Sequence, residues 1–285
     1  MTFNPDFGQV EADPSVLNLS AFETRLNERR PFFVQGANFF KSRLNLFNSR
    51  RIGRRPGHYK PDSGSIIDRP NETTIIGAAK ILGETSSGLR YGIINAITDQ
   101  EYGTIEEDVS GKIERNKFLI EPYTNYFVGR IEKPVINELS TIGLLATDLR
   151  RKNETSQATV LNADWSLKLM ENKLSFTGQF ANSITSDQTG NAGRFLLSYR
   201  DPVWWDITWW SGYKNKHFDV SDMGYQEKNN NWYSGLRGAI RRDFPKGIFL
   251  NQQLELKLDT GGRGKDDRGE ALLTRKKIEL EQDND

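Results

Sequence analysis

The chain has 285 residues, with 39 basic and 38 acidic side chains and a net charge of +1. This balance excludes the basic footprint of a nucleic-acid-binding protein, and the absence of Cys excludes disulfides, zinc–thiolate sites and Cys nucleophiles. Hydrophobic residues make up only 36%, but aromatic residues reach 11% and there are 25 Gly. This composition favours an all-β protein, and nothing in it points to a cofactor.

Residues 1–72 form the first predicted unit, an irregular segment. They lack regular alternation and are interrupted by prolines. They also carry the pairs Arg29-Arg30, Arg50-Arg51 and Arg54-Arg55. We expect this segment to fold into the lumen of a barrel, where Arg29, Arg30, Arg50, Arg51 and Arg54 either line a pore or form ion pairs. Ion pairing is the favoured interpretation, with Glu11, Asp13, Glu23 and Glu28 as partners.

Residues 73–285 form the second predicted unit, a series of strands. Between residues 159 and 169 the odd positions are apolar and the even positions are polar, so a strand places each set on its own face. Similar patterns predict about eleven strands of roughly ten residues, the length of a tilted membrane β-strand. They lie near 73–82, 89–99, 118–131, 138–150, 159–169, 174–180, 192–200, 203–213, 232–242, 248–258 and 269–281.

The predicted connections alternate in length. Short connections are expected near 83–87, 132–137, 171–172, 201–202 and 243–247. Longer polar connections are expected near 100–117, 151–156, 185–191, 217–229 and 259–268. Because alternate turns of an up-and-down sheet lie at the same end, one rim is tight and the other carries loops. The sequence therefore predicts an antiparallel meander that forms part of a transmembrane β-barrel, with the lipid bilayer as its partner.

The two faces of these strands differ in chemistry. One face carries charges, including Arg237 and Arg241, which we expect to line a water-filled lumen. The opposite face is rich in leucine and aromatic residues. The tryptophans expected to form a girdle at the bilayer interface are Trp204, Trp205, Trp209, Trp210 and Trp232. Two alternatives remain open: these rings stack on sugars, or they pack in the core of a soluble β-sandwich.

Three polar motifs suggest ligand sites. Asp219 and Asp222, near Glu227, offer oxygen ligands for Ca²⁺, but their spacing does not match an EF-hand and a turn-shaping role is favoured. The segment 261–265, Gly-Gly-Arg-Gly-Lys, lacks the Ser or Thr and the helix of a phosphate loop, so a flexible loop is predicted. The cluster 106–108 lies in a predicted polar loop, where we do not expect the apolar pocket that raises the pKa of a glycosidase acid.

Several segments resemble those of one known family. They are Asn4-Pro5-Asp6-Phe7-Gly8-Gln9-Val10-Glu11-Ala12-Asp13-Pro14, Asn18-Leu19-Ser20-Ala21-Phe22-Glu23-Thr24, Arg30-Pro31-Phe32-Phe33, Ser49-Arg50-Arg51-Ile52-Gly53-Arg54, Ile76-Gly77-Ala78-Ala79-Lys80, Asn95-Ala96-Ile97-Thr98-Asp99, Asn125-Tyr126-Phe127-Val128-Gly129-Arg130 and Asp219-Val220-Ser221-Asp222-Met223-Gly224-Tyr225. On these segments the chain resembles the domain of unknown function 5916 family. The resemblance implies a β-barrel domain of Gram-negative outer-membrane proteins that follows a family 9 carbohydrate-binding-like module, without established catalytic residues.

The resemblance also implies neighbouring segments. Family members carry a signal peptide and the module before the Asn-Pro-Asp-Phe segment, and further strands after the position of Asp285. Met1 is not followed by a signal-peptide pattern, so we expect an internal piece of an outer-membrane barrel. The expected function is a non-enzymatic pore or scaffold linked to glycan uptake or surface glycan handling. The alternatives are a carbohydrate-active hydrolase or surface glycan-binding protein that uses the barrel loops, and a soluble β-sheet structural protein.

Overall fold

The structure is a computed structural model, which describes residues 2–3, 27–154, 157–226, 229–242, 252–265 and 271–284. It contains β1 (Thr2–Phe3), β2 (Ser65–Asp68), β3 (Ile75–Glu84), β4 (Arg90–Thr98), β5 (Glu101–Val109), β6 (Lys112–Glu121), β7 (Thr124–Val135), β8 (Asn137–Arg151), β9 (Gln157–Leu169), β10 (Leu174–Ile184), β11 (Thr189–Arg200), β12 (Trp205–Lys214), β13 (Asn231–Arg242), β14 (Gln252–Lys265) and β15 (Ala271–Asn284). None of the described helices has the length and apolar character needed to cross a bilayer.

Twelve strands form one antiparallel sheet, in the order β1-β3-β4-β7-β8-β9-β10-β11-β12-β13-β14-β15. From β3 onward each strand pairs with the next strand of this sheet along the chain. This confirms the predicted all-β class and the antiparallel meander. In the described part of the chain the sheet is open, with β1 and β15 at its edges.

All eleven predicted strands are present, as β3, β4 and β7 to β15. Two of the predicted boundaries are wrong. The predicted strand 118–131 combines the end of β6 with the start of β7, which Pro122 separates because proline cannot donate a ladder hydrogen bond. The predicted loop 259–268 begins too early, since β14 continues to Lys265.

The predicted loop 100–117 is also wrong, because it folds into the hairpin β5–β6. Ser110 and Gly111 connect the two strands with φ of 57° and 83°. Two successive positive φ angles are typical of the two-residue turn that matches the twist of paired strands. Strand β2 joins this hairpin to form a separate three-stranded sheet.

The alternation of connection lengths is only partly present. Connections 99–123 and 215–230 are long, and both lie at the same end of the large sheet. The connections 152–156 and 185–188 at that end are no longer than the turn 85–89 at the other end. Among the connections that the structure describes, the difference between the two rims therefore rests on these two, and the predicted short connection 243–247 lies outside the described residues.

A covering segment, which we define as residues 27–60, lies against one face of the large sheet. It contains α1 (Pro31–Val34) and two 3₁₀ helices, Ala37–Phe40 and Ser49–Arg51. Its buried side chains form the core together with strands β3, β4 and β7 to β11 and the connection 215–230. The buried hydrophobic side chains of the segment are Phe33, Phe40, Leu44, Leu46 and Ile52. Its predicted position inside a lumen stays a prediction.

Candidate functional site: the two faces of the large sheet

One face of the large sheet, which we call the apolar face, is exposed. Ladder partners share a face, and here Ile131 lies opposite Leu144, while Trp209 lies between Leu197 and Leu236. The large side chains of this face are 37–59% exposed. They are Ile81, Tyr91, Ile93, Ile131, Ile142, Leu144, Leu161, Phe180, Leu197, Ile207, Trp209, Trp232, Leu236, Ile240, Leu254, Leu256 and Leu258. Exposed apolar surfaces of this kind are typical of sites that contact other proteins or lipid.

The apolar face has a polar boundary at the end that carries the long connections. Arg150 Nε lies 2.7 Å from Asp148 Oδ2, and Thr159 Oγ1 donates to the other oxygen of this carboxylate at 2.6 Å. Below this boundary, β9 turns only apolar side chains to this face from Leu161 to Leu169. Eight steps of about 3.3 Å make this apolar stretch about 26 Å long.

The opposite face, which we call the polar face, carries the charges. At its centre Arg130 donates from both terminal nitrogens to Asp164, at 2.8 Å each, and to Glu132 at 3.0 Å. The ring of Phe39, from the covering segment, lies 5.7 Å from the Arg130 guanidinium carbon. Arg130 is therefore buried, with only 6% of its side chain exposed. Its two carboxylate partners compensate a charge that water does not reach.

The covering segment is itself held by an ion pair between Arg30 and Glu28, at 2.7 Å. Ser49 also donates to Glu28 at 2.7 Å, and Arg30 donates to the Ile52 carbonyl at 2.7 Å. Burial raises the pKa of Glu28, but the hydrogen bonds and charge of Arg30 and the hydrogen bond from Ser49 lower it by more. The pKa of Glu28 therefore lies below its ordinary value of 4.5, so this carboxylate stays charged.

The predicted arginines of the segment differ in burial. Arg30 and Arg51 are buried, Arg50 and Arg54 are half-buried, and Arg29 is exposed. The Arg51 guanidinium donates to the Gly224 carbonyl at 2.8 Å. Of the predicted acidic partners, Glu28 pairs with Arg30, whereas Glu11, Asp13 and Glu23 lie outside the described residues.

The connection 215–230 holds the covering segment through backbone hydrogen bonds. Asn48 N–H donates to the Met223 carbonyl at 2.7 Å, and Tyr225 N–H donates to the Asn45 carbonyl at 2.9 Å. Gly224 permits this approach, because a Cβ there would lie 2.4 Å from the Asn45 oxygen. The segment is thus held between a strand-to-strand connection and the sheet.

The two predicted calcium ligands lie in this connection but do not converge. Asp222 forms an ion pair with Arg151, and Asp219 accepts a hydrogen bond from Ser221 N–H at 2.8 Å, which shapes the turn. No group of three or more potential metal-ligating side chains occurs among the residues that the structure describes. Glu227 lies outside them.

A third contact holds the end of the covering segment. His58 Nε2 lies 2.8 Å from Glu154 Oε1, and the buried Glu121 accepts hydrogen bonds from Gly57 N–H and His58 N–H at 3.0 Å. Hydrogen bonding to Glu154, followed by burial and the charge of this carboxylate, raises the pKa of Tyr59 to about 12. Tyr59 therefore stays protonated at physiological pH.

Strands β12 to β14 carry a second charge cluster on the polar face, outside the contacts of the covering segment. Arg237 donates to Asp206 at 2.8 Å and lies 2.8 Å from Glu255. Its side chain is 29% exposed. Arg241 is half-buried on the same face, and its backbone N–H donates to the Trp204 carbonyl at 2.7 Å.

The five predicted tryptophans are divided between the two faces. Trp204, Trp209 and Trp232 are 40–54% exposed, and Trp205 packs against Tyr199 with ring centroids 5.0 Å apart. Trp204 lies in the connection 201–204, and Trp232 pairs with Tyr213 near the opposite rim. Trp210 instead lies on the polar face, because neighbouring residues of a strand point to opposite sides.

The structure also shows where the glycine-rich motif 261–265 and the acidic cluster 106–108 lie. Gly261, Gly262 and Arg263 belong to β14, so the predicted flexible loop is wrong for these residues. Glu106 lies in β5 and forms an ion pair with Arg115 at 2.9 Å. Nothing in this hairpin buries the cluster 106–108 in an apolar pocket, since its side chains are exposed or half-buried.

Sequence reasoning missed the buried charge cluster of Arg130. The available signal was the spacing of Arg130 and Glu132, which places both side chains on one face of a strand. Asp164, two strands away in the sheet, cannot be assigned to them without the register of β7, β8 and β9.

The fold and these surfaces define a class: an all-β protein with a wide antiparallel sheet, one exposed apolar face and one charged face beneath a packed segment. Comparison with family models places the chain more closely. The model of the domain of unknown function DUF5916 matches residues 1–282, and the chain belongs to this family. No curated protein and no solved structure matches it significantly.

Proposed function

We propose that the chain is a segment of an outer-membrane β-barrel of a Gram-negative bacterium, whose apolar face meets lipid and whose polar face meets water. The covering segment then fills part of the aqueous interior. In this role the protein is a non-enzymatic pore or scaffold linked to glycan uptake or surface glycan handling. The observation that carries the proposal is the continuous exposed apolar face opposite a charged face.

The dimensions of the apolar face support this proposal. The strands of the large sheet other than β1 have 9–15 residues, as a tilted crossing requires. The apolar stretch of about 26 Å on β9 is comparable with the roughly 25 Å height of the lipid-facing band of such barrels, although strand tilt reduces the height it spans. The pair Asp148–Arg150 lies where this band ends.

If the protein were instead a soluble β-sheet protein, its apolar face would have to be covered. A soluble sheet with leucines and tryptophans on one face needs a second layer of protein over them. In the described part of the chain, Leu144, Leu161 and Ile240 remain more than half exposed. This exposure favours lipid as the partner of the apolar face.

A charge placed on the apolar face tests the proposal. Ile142→Arg puts a cation opposite Trp165, the middle residue of the apolar stretch on β9, where lipid contact makes it cost roughly 2–4 kcal/mol. We expect the variant to lose most of its membrane-fraction yield and its heat-modifiable migration in SDS gels. Both are measured on the full-length protein that contains this chain, expressed with its native export signal.

Met170→Arg is the matched control. Met170 is 62% exposed and lies in the turn between β9 and β10, outside the apolar stretch. We expect it to behave as wild type. Recovery of the wild-type chain as a soluble monomer, with both variants equally stable, would refute the proposal, because an exposed surface in water tolerates Arg within about 0.5 kcal/mol.

A further inference from the structure

The polar face of strands β12 to β15 contains an open cleft of about 630 Å³. It lies outside the core that the covering segment forms. Aromatic, charged and amide side chains line it together. They are Trp210, Asn231, Tyr233, Asp259, Arg263 and Lys277.

Glycines allow the two aromatic rings to lie across neighbouring strands. A Cβ at Gly235 would be 2.2 Å from Trp210 Cζ2, and a Cβ at Gly212 would be 2.4 Å from Tyr233 Cζ. Each ring therefore covers backbone where another residue would place a side chain. The faces of the Trp210 and Tyr233 rings thus occupy the polar side of the sheet over Gly235 and Gly212.

The floor of the cleft is also formed by glycine. Gly261 lies directly opposite Tyr233 in the ladder, on the same face. Because Gly261 has no side chain, space is left beside the Tyr233 ring. The Gly-Gly-Arg motif of the sequence thus has a structural role in β14: it creates depth between an aromatic wall and the next strand.

Polar groups surround the aromatic wall. Asp259 Oδ2 lies 3.3 Å from Lys257 Nζ, and Lys257 Nζ lies 6.0 Å from the centre of the Trp210 ring system. Arg263 and Asn231 pair with each other across β13 and β14 and supply a guanidinium and a carboxamide. The cleft thus combines flat apolar rings with both hydrogen-bond donors and acceptors.

We infer that this cleft binds a saccharide chain. Sugar rings present C–H groups on their faces and hydroxyls at their edges, which matches aromatic surfaces with polar groups around them. Trp210 and Tyr233 take the sugar faces, while Asp259 accepts from hydroxyls and Arg263 donates to them. The inference rests on the proposed function only in requiring that the polar face meets water.

Binding is tested by titrating the purified, folded full-length protein with maltohexaose and with an oligogalacturonate of equal length. The readouts are calorimetry and intrinsic tryptophan fluorescence. We expect saturable binding of at least one of these probes, and a loss of about tenfold in affinity, or about 1.4 kcal/mol, for Trp210→Ala, because this variant removes an aromatic contact. Asp259→Asn is expected to weaken binding without removing the aromatic wall.

Trp209→Ala is the matched control, because it removes the same ring from the same strand on the opposite face. Its affinity is expected to stay within about twofold of wild type. The inference is overturned if neither probe binds, or if Trp209→Ala and Trp210→Ala weaken binding equally. Heat-modifiable migration of each variant reports insertion separately, so loss of saccharide binding with intact insertion contradicts this inference and leaves the proposed function standing.

Discussion

The polar face has two halves, one beneath the covering segment and one on strands β12 to β15, and each half contains an arginine paired with two carboxylates. Beneath the covering segment, Arg130 bridges Asp164 and Glu132 and is 6% exposed. On β13, Arg237 bridges Asp206 and Glu255 and is 29% exposed. Each arginine therefore joins two carboxylates, and the ring of Phe39, from the covering segment, lies 5.7 Å from the Arg130 guanidinium.

This difference shows what the covering segment contributes. It converts a solvated charge cluster into a buried one and adds an apolar core above the sheet. Packing against the covering segment thus stabilises the covered half. The other half of the same face contains a cleft of about 630 Å³. We therefore expect stability to concentrate in the covered half and ligand contact to concentrate in the open half.

The largest effect is expected from removing an aromatic anchor of the segment. Phe40 is 1% exposed and contacts the core beneath the segment, so Phe40→Ala should lower the free energy of unfolding by roughly 3–5 kcal/mol. Urea unfolding of the purified protein measures this change. Val34→Ala, at a position 48% exposed in the same segment, should change stability by no more than about 0.5 kcal/mol. Equal effects of the two variants would show that the segment is not docked.

The two charge clusters allow a direct comparison. Arg130→Ala leaves Asp164 without its cation beneath Phe39, while Glu132 keeps its ion pair with Arg90, and should cost about 3 kcal/mol. Arg237→Ala should cost about 1–2 kcal/mol, because Arg237 is itself partly exposed and its removal lets water reach Asp206, which is 3% exposed while the arginine is present. Arg150→Ala, at an exposed pair, is the control and should cost less than about 1 kcal/mol. The comparison fails if Arg130→Ala and Arg237→Ala have the same unfolding free energy.

The smallest effect is expected from the Glu28 carboxylate, and it depends on pH. Since the pKa of Glu28 is lowered in the folded protein, its contribution is complete above the ordinary value of 4.5 and is lost as pH falls through the folded value. Glu28→Gln should therefore cost about 1 kcal/mol at pH 7, and the difference from wild type should shrink below pH 4.5. Urea unfolding at pH 7, 5 and 3.5 measures it, with the exposed Glu72→Gln as control. A difference that is independent of pH would contradict this assignment.

Much of the sheet was predictable because its signal is local. The alternation in 159–169 reports a strand without any knowledge of its neighbours, and β9 occupies this range. The hairpin β5–β6 was not predicted, because Glu106, Glu107 and Asp108 are consecutive polar residues that hide the alternation. Its turn at Ser110 and Gly111 was the one local signal present.

The candidate sites were less predictable, because they depend on pairing between distant residues. For Asp222 the sequence favours a turn-shaping role over a metal ligand, but its partner Arg151 is 71 positions away and only the fold brings the two together. Trp209 and Trp210 lie on opposite faces because they are neighbours in one strand, but only the pairing of β12, β13 and β14 places Trp210 beside the cleft.

The sequence by itself determined that the chain is all-β, where most strands run and which side chains share a face, because a strand repeats every two residues. Only the tertiary structure decided which half of the polar face the segment 27–60 covers, and which carboxylates Arg130 and Arg237 meet. These outcomes depend on register and on long-range contacts, which no local pattern records. Register and long-range contacts thus separate the buried Arg130 cluster from the partly exposed Arg237 cluster.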